Sequence, residues 1–491
     1  MSKTLEQFEQ YLDKMKKYEH INTLLYWDMR TCAPKLGQAG HIDALTYFST
    51  ESFAMSTSDE LYGMLETLKT PEEFAQLSDT MKFIVTRMQR DMEKDRRIPK
   101  DRYEVVREQA ESGNAWEDAK NASDFSIFAP HLEKMIALTK EMAGYTDPGK
   151  EVYDVLLDKY EEGMDSATID RLFGELKEAL IPLVKKILAA KQPDDTKFHA
   201  YFDPDDQRKV QDLLLSYIGF SKDAGAVGET EHPFTLNFSS KDVRVTNHYY
   251  EHDPISAMFS AIHEGGHAIF EQNVNPEYDN TAAGSCRYMG VHESQSRFYE
   301  NILGRNKNFW IPVYEKVQEL MPQMKDISLD EFYREINHVR NSLIRTEADE
   351  VTYCFHIILR YEMEKAIFRD NVPVAKLPEL WNQKMKEYLD ITPANDAEGI
   401  LQDMHWSDGS FGYFPSYLLG SIYDGMYLEE LEKELGPVDE ILKEGRIKEI
   451  TKWLNEKIHW YGSTRTPKEV IANVCGKEVS AEPLVRYFEK K

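Results

Sequence analysis

The sequence predicts a mainly α-helical protein with one short β-hairpin near the middle of the chain. Three observations carry this. Apolar residues recur at three- and four-residue steps through most of the 491 residues, the pattern of amphipathic helices. One stretch, residues 232–250, alternates instead. The composition, 41% hydrophobic and 30% charged, is that of an ordinary globular chain and argues against wholesale disorder. At this length a sizeable core is buried without disulfide staples.

The helical rhythm is clearest from Ile169 to Ile187. There Ile169, Leu172, Phe173, Leu176, Leu180, Leu183, Val184 and Ile187 recur with charges between them, and Ser166 stands where an N-cap belongs. Similar patterns fill much of residues 3–190, 285–390 and 414–460. The interruptions are turn-like, as at Asp147-Pro148-Gly149 and Asp203-Pro204. No linker, repeat or domain boundary stands out, so residues 1–491 read as one helical unit with its motifs between 232 and 423. In the alternating stretch Phe234, Leu236 and Phe238 precede Ser239-Ser240-Lys241, and Val243 and Val245 follow. That is a hairpin with its turn.

Charge and cysteines narrow the function classes. Lys and Arg number 59 against 86 Asp and Glu, a net charge of −27, which repels phosphate backbones and excludes nucleic acid as a partner. No run of 18 apolar residues is present, so no membrane span or membrane partner is expected. Cys32, Cys286, Cys354 and Cys475 stand far apart with no C-x-x-C pair, which suits a reducing compartment. The charged, amphipathic N-terminus lacks the apolar region of a signal peptide. The cytoplasm is the expected location.

Residues 263–267 read His263-Glu264-Gly265-Gly266-His267, the H-E-x-x-H pattern. Asp253 as N-cap and Pro254 at the first position start its helix. His263 and His267 then lie one turn apart on one face, where two imidazoles can grip one metal ion. Glu264, beside them, is placed as the general base without being a ligand. The bland alternative is a surface helix with two histidines. Two adjacent glycines in mid-helix weigh against it, since each costs about 1 kcal/mol against alanine; they suggest that something approaches the helix closely. A third ligand is needed. Glu293, in the helical pattern His292 to Arg297, is the choice, with an i,i+4 pair to Arg297 or a capping role as the alternative.

At this point the chain resembles the carboxypeptidase Taq family of zinc metallocarboxypeptidases. The motifs come in order: HPF at His232 to Phe234, DVRVT at Asp242 to Thr246, HEGGH at 263–267, HES at 292–294, IRTEAD at Ile344 to Asp349 and GILQDMHW at Gly399 to Trp406. Leu25-Tyr26-Trp27-Asp28 is similar to the family less specifically. The resemblance implies a mainly α, two-lobed, clam-like fold with a deep groove, and a single catalytic domain over the chain. It implies a homodimer, peptide substrates and release of single C-terminal amino acids with broad specificity. It also implies one zinc ion per chain; imidazole and carboxylate ligands accept cobalt as well.

The resemblance further assigns Arg345 to the substrate's terminal carboxylate, a group that a planar guanidinium binds bidentately. The alternative is an i,i+4 pair with Asp349 on a helix. Asp242, Arg244 and Thr246 point to one face of a strand; with His232 of HPF they are implied to close part of the groove, against the alternative of a surface salt bridge. His405 and Tyr413 are implied to donate hydrogen bonds to the tetrahedral intermediate, with Tyr417 and Tyr423 as rivals. Gln402 orients His405, lines the groove, or is a satisfied buried amide. His252, His356 and His459 are read as structural. Two other functions keep the same residues: an endo-oligopeptidase or dipeptidyl carboxypeptidase, and a helical peptide-binding protein with no activity.

Overall fold

The computed structural model describes residues 2–99, 103–279, 281–284 and 286–491. Its long helices begin with α1 (Lys3–Thr31), α2 (Gln38–Ser56), α3 (Ser166–Leu188) and α4 (Pro204–Ile218). Three short strands follow: β1 (Gly225–Glu229), β2 (Thr235–Ser239) and β3 (Asp242–Asn247). Then come α5 (Pro254–Gln272), α6 (Met289–Arg297), α7 (Thr352–Phe368) and α8 (Phe414–Leu435), with further helices in the intervals. The mainly helical architecture with a small sheet is the one the sequence predicts. Among the described residues no helix is long and apolar enough to cross a membrane.

Local details correct some expectations. Asp165, not Ser166, caps α3, accepting from the Thr168 amide. Asp203-Pro204 is a helix start: Asp203 accepts from the Asp205 amide and Pro204 takes the first helical position, where its missing N–H costs nothing. Asp147-Pro148-Gly149 is a turn as expected, with Gly149 at φ +90°. Between 337 and 351 the helical rhythm gives way to turns and irregular chain, and Arg345 sits in a 3₁₀ turn, Arg345–Glu347.

The hairpin forms where the alternation places it. β2 and β3 are antiparallel, with Thr235 opposite Val245 and a register shift after Asn237 that pairs Ser239 with Asp242. The unexpected element is β1, which lies parallel to β3, so the order is β1-β3-β2. Its glycines conceal it. A Cβ on Gly225 would stand 2.5 Å from the Val243 carbonyl oxygen, and one on Gly228 3.0 Å from the Trp27 ring. Close approach removes the side chains whose alternation would announce a strand.

Among the described residues the buried apolar side chains gather into two cores. The larger runs from Ala119 to Phe488 and encloses most of α5 to α8. The smaller gathers Phe8, Leu12, Leu61, Leu65, Leu68, Ile84, Val85 and Met92 near the N-terminus and meets Ala283.

Candidate metal centre and the residues around it

Helix α5 starts as read: Asp253 accepts from the Ser256 amide and Pro254 follows. His263 and His267 face Glu293 of α6. The two Nε2 atoms stand 4.0 and 3.6 Å from Glu293 Oε2, and the three donor atoms form one group that could hold a metal ion. Ligand atoms at 2.0–2.1 Å from a tetrahedral zinc ion stand roughly 3.3–3.4 Å apart, so a slight closure suits this donor set. One other such group among the described residues, Asp195, Glu335 and His338, already has its cation. The Arg340 guanidinium lies 3.0 Å from Asp195 and 2.6 Å from Glu335.

Glycines bring the ligands together. A Cβ on Gly266 would stand 2.7 Å from both the Gln295 carbonyl oxygen and Ser296 Cα, so the backbone of α6 lies directly on α5. From the other side Gly420 of α8 admits the same helix: a Cβ there would meet the Ser294 amide at 3.0 Å and Glu293 Cβ at 3.1 Å. Gly265 turns to α4, where a Cβ would come 2.5 Å from Ile218 Cδ1. The close approach inferred from the two glycines is thus two helices, one on each. At the start of α6 the Gly290 amide donates to Glu161, whose carboxyl burial pushes up to about 8.

A second layer orients the first. His263 Nδ1 bonds Glu300 Oε2 at 2.8 Å, turning Nε2 toward Glu293. Glu293 is shared between two contacts: Oε1 accepts from Arg297 Nε at 2.6 Å, the i,i+4 pair, while Oε2 faces the histidines. His292 stacks on His267 with centroids 4.4 Å apart and bonds Glu271 at 2.8 Å. Burial alone would lower His263, yet Glu300, Glu293 and Glu264 push it up to about 9. Burial would raise Glu300, but His263, Arg297 and Arg305 hold it at about 2. The surroundings are those of a site that attracts a cation. Glu264 is buried, and burial raises its pKa. The Thr235 hydroxyl donates to its Oε2 at 2.6 Å, leaving the other oxygen available.

Arg345 does not pair with Asp349. Its Nε and Nη2 donate to Asp403 Oδ1 at 3.0 and 2.8 Å, and its Nη1 donates to the Tyr353 hydroxyl at 3.0 Å. Asp349 instead accepts from the Val351 and Thr352 amides and starts α7. Arg345 is joined to the metal group through Tyr353, whose ring lies 4.0 Å from the Arg297 guanidinium. Gln402 is a satisfied amide, half-buried and not buried: Oε1 accepts from the Arg345 amide and from Arg360, and Nε2 donates to Leu343 O at 2.8 Å. His405 Nε2 meets the Tyr417 hydroxyl at 3.2 Å. Tyr413 lies 5.1 Å from Tyr417, ring to ring, and burial followed by Glu293 raises its pKa. Tyr423 is fully buried on Glu161, away from this string.

The HPF and DVRVT segments form a unit under α1. Arg244 bonds Asp242 through Nε and Nη2 at 2.9 and 2.8 Å and lies 4.2 Å from the Phe238 ring. Thr246 is buried; its hydroxyl accepts from the Phe234 amide at 2.9 Å. Phe234 packs on Tyr26 and Trp27 of the LYWD segment, and His232 is exposed. Thr246 therefore acts on this segment from within.

His356 and His459 are fully buried on the Ser342 carbonyl and Gln295, as structural histidines, and His252 bonds loop carbonyls. Sequence reasoning missed Thr235, Glu300, Asp403 and Arg360. Two of them had a local signal, Thr235 as the strand residue directly after HPF and Asp403 inside GILQDMHW, between Gln402 and His405.

A sequence profile of the carboxypeptidase Taq (M32) metallopeptidases matches residues 7–491. Carboxypeptidase 1 of Bacillus subtilis (strain 168) is 43% identical over 489 residues, covering 98% of this chain and 97% of its own. Thermostable carboxypeptidase 1 of Thermus thermophilus is 36% identical, covering 96% and 94%. Among solved structures, Pyrococcus furiosus carboxypeptidase superposes with a TM-score of 0.95 at 34% identity, covering 100% of this chain and 99% of that one. The M32 carboxypeptidase from Deinococcus radiodurans R1 gives 0.95 at 29% identity, covering 100% and 98%.

Proposed function

This chain belongs to the carboxypeptidase Taq (M32) family of metallopeptidases, and from that premise we propose how its own residues carry out the hydrolysis. It is a metallocarboxypeptidase that releases amino acids from the C-termini of peptides. The observation that carries the assignment of roles is the convergence of His263, His267 and Glu293, with Glu264 alongside and Arg345 linked to Glu293 through Tyr353 and Arg297.

His263, His267 and Glu293 would hold one divalent ion, zinc in the first place and cobalt in the second. Such an ion, when bound, makes water acidic and polarises the scissile carbonyl. Glu264 takes the proton of the attacking water on the oxygen that Thr235 leaves free, then passes a proton to the leaving amine. Arg345 receives the terminal carboxylate and sets the last peptide bond over the site. His405 and Tyr413 donate to the developing oxyanion, with Tyr417 as the rival donor. Burial, Arg345 and Arg360 lower His405 to about 4, against the pull of Asp403, which supports a neutral imidazole in this role. His232, Asp242, Arg244 and Thr246 close the end of the groove, Thr246 through its hold on Phe234, and Gln402 fixes the loop that carries His405.

The side-chain preference is broad, and the chain acts as a single catalytic domain in the cytoplasm. It works as a homodimer; the apolar residues that α2 exposes, Tyr47 and Phe53 among them, give a second copy a face to cover. The test is mass spectrometry of a peptide of about ten residues incubated with the enzyme, with and without a chelator. A ladder losing one C-terminal residue at a time, abolished by chelator and restored by zinc or cobalt, is the expected result. Internal cuts or released dipeptides would overturn the role given to Arg345.

A further inference from the structure

Helix α7 carries a polar stripe inside an apolar core. His356, Arg360 and Glu364 stand four residues apart, hence on one face, and all three are 0% exposed. Each holds a different piece of the loops that bear the substrate-facing residues. His356 Nε2 bonds the Ser342 carbonyl at 3.0 Å, three residues before Arg345. Glu364 accepts from the Trp406 indole and the Gly412 amide, both at 3.0 Å, on either side of the turn after His405. Arg360 lies between them. Its Nε donates to Asp403 Oδ2 at 2.6 Å, its Nη2 to Gln402 Oε1 at 3.0 Å and its Nη1 to the His356 carbonyl at 2.9 Å.

Asp403 thus serves two guanidiniums, Oδ1 for Arg345 and Oδ2 for Arg360. Among the described residues it is the only carboxylate bonded to either. Two positive charges and one negative leave a surplus of one positive charge in a buried place. His356 and His405 do not add to it, since burial and the two arginines lower them to about 3 and about 4. A surplus charge is costly to bury unless a partner arrives, and an α-carboxylate is such a partner. Arg345 still has one N–H on each terminal nitrogen, the fork that a carboxylate takes bidentately. Arg360, fully enclosed, cannot reach the substrate.

We propose that Arg360 is the positioning residue of the carboxylate anchor. By occupying Asp403 Oδ2 and Gln402 Oε1 it leaves Asp403 Oδ1 to aim the fork of Arg345, and it supplies the surplus charge that the substrate's terminal carboxylate neutralises. The inference rests on the reading of Arg345 as that anchor.

The test uses the full-length, metal-loaded enzyme and measures kcat and KM on a peptide with a free C-terminus. It also measures the inhibition constant of free phenylalanine as a product carboxylate, metal content and Tm. Arg360→Met is expected to raise KM and the inhibition constant on the order of thirtyfold, with kcat changed less than about threefold and metal content kept. Arg360→Lys, which keeps the charge, recovers part of both. Arg345→Met moves both constants at least as far. If Arg345→Met moves both while Arg360→Met leaves them within about twofold, the positioning role fails and the anchor stands. If neither variant moves them, the anchor reading fails and the inference falls with it. Loss of kcat at unchanged KM in Arg360→Met also overturns it. Should Arg360→Met not fold, Arg360→Lys is combined with Asp403→Asn. The two act through one carboxylate, so their effects on KM are expected to be non-additive, and additive effects overturn the proposal.

Discussion

Helices α1 and α7 are assembled in opposite ways. Of 29 residues α1 buries three, Phe8, Leu12 and Trp27. Of 17 residues α7 buries fifteen, among them a histidine, an arginine and a glutamate. Helix α2, beside α1, buries only Met55 and leaves Phe53 65% and Tyr47 61% exposed. On the periphery a polar side chain loses little when it moves, because water replaces the partner. Inside, each polar group must be bonded, so burial turns bonding into position. The reacting residues stand where that constraint is strongest. Helix α1 reaches the site through side-chain rings, Tyr26 and Trp27 on Phe234, His20 on Phe238, and Trp27 under the Arg244 guanidinium.

The sharpest break in this comparison comes from within the site. Glu264→Gln is expected to cut kcat by about 10²–10⁴ while the protein keeps its metal and fold, read by turnover, metal analysis and Tm together. Turnover near the parent's would remove Glu264 from its role.

Paired glycine substitutions sharpen it next. Gly266→Ala and Gly420→Ala push against the backbone of α6 and should each cost about 1–3 kcal/mol, with weaker metal retention under a chelator. Gly40→Ala on α2, where nothing stands within 4 Å of the added methyl, should instead stabilise by up to about 1 kcal/mol. Denaturant melts decide; equal effects at the three sites would erase the contrast.

Acidity offers a third probe. Glu161 holds its proton up to about 8 when folded, whereas an unfolded chain releases it near the ordinary carboxyl value. The folded state therefore binds more protons between those values. Its contribution is whole below the ordinary value and is lost as pH climbs through 8. Tm should fall across that window, and Glu161→Gln should flatten the fall by at least about 1 kcal/mol. The smallest effect is expected at the rim: Phe53→Glu should change stability by no more than about 0.5 kcal/mol and leave kcat alone. If α2 carries the proposed homodimer contact, light scattering will show the mass halved.

What could be read from the sequence was what lies close together along it. Asp253, Pro254 and the H-E-x-x-H spacing are local, and α5 is where they place it. Glu293 was legible because its own helix pattern and the motif upstream pointed to each other. Asp403, 58 residues from Arg345, was not, since no spacing rule links a 3₁₀ turn to a distant loop, whereas Asp349 stood at helical spacing and misled. Glu300 lies 37 residues from His263, in a segment that winds as a π-helix over Phe298–Gly304; ordinary helical periodicity does not place it. Arg360 was hidden differently: amid a nearly continuous apolar run, a single arginine reads as the solvent edge, not the centre.

Helix α6 rests between Gly266 and Gly420, its main chain against the first and the Ser294 amide and Glu293 side chain against the second, with no side chain of either glycine as a spacer. The width of the gap that a metal ion must fill is therefore set by how closely two helices can stack. Exchanging one residue for another elsewhere in the core cannot widen it by a small step. A descendant of this protein adapted to an ion of different radius would have to shift a whole helix, and that makes ion size one of the slowest traits for this scaffold to change.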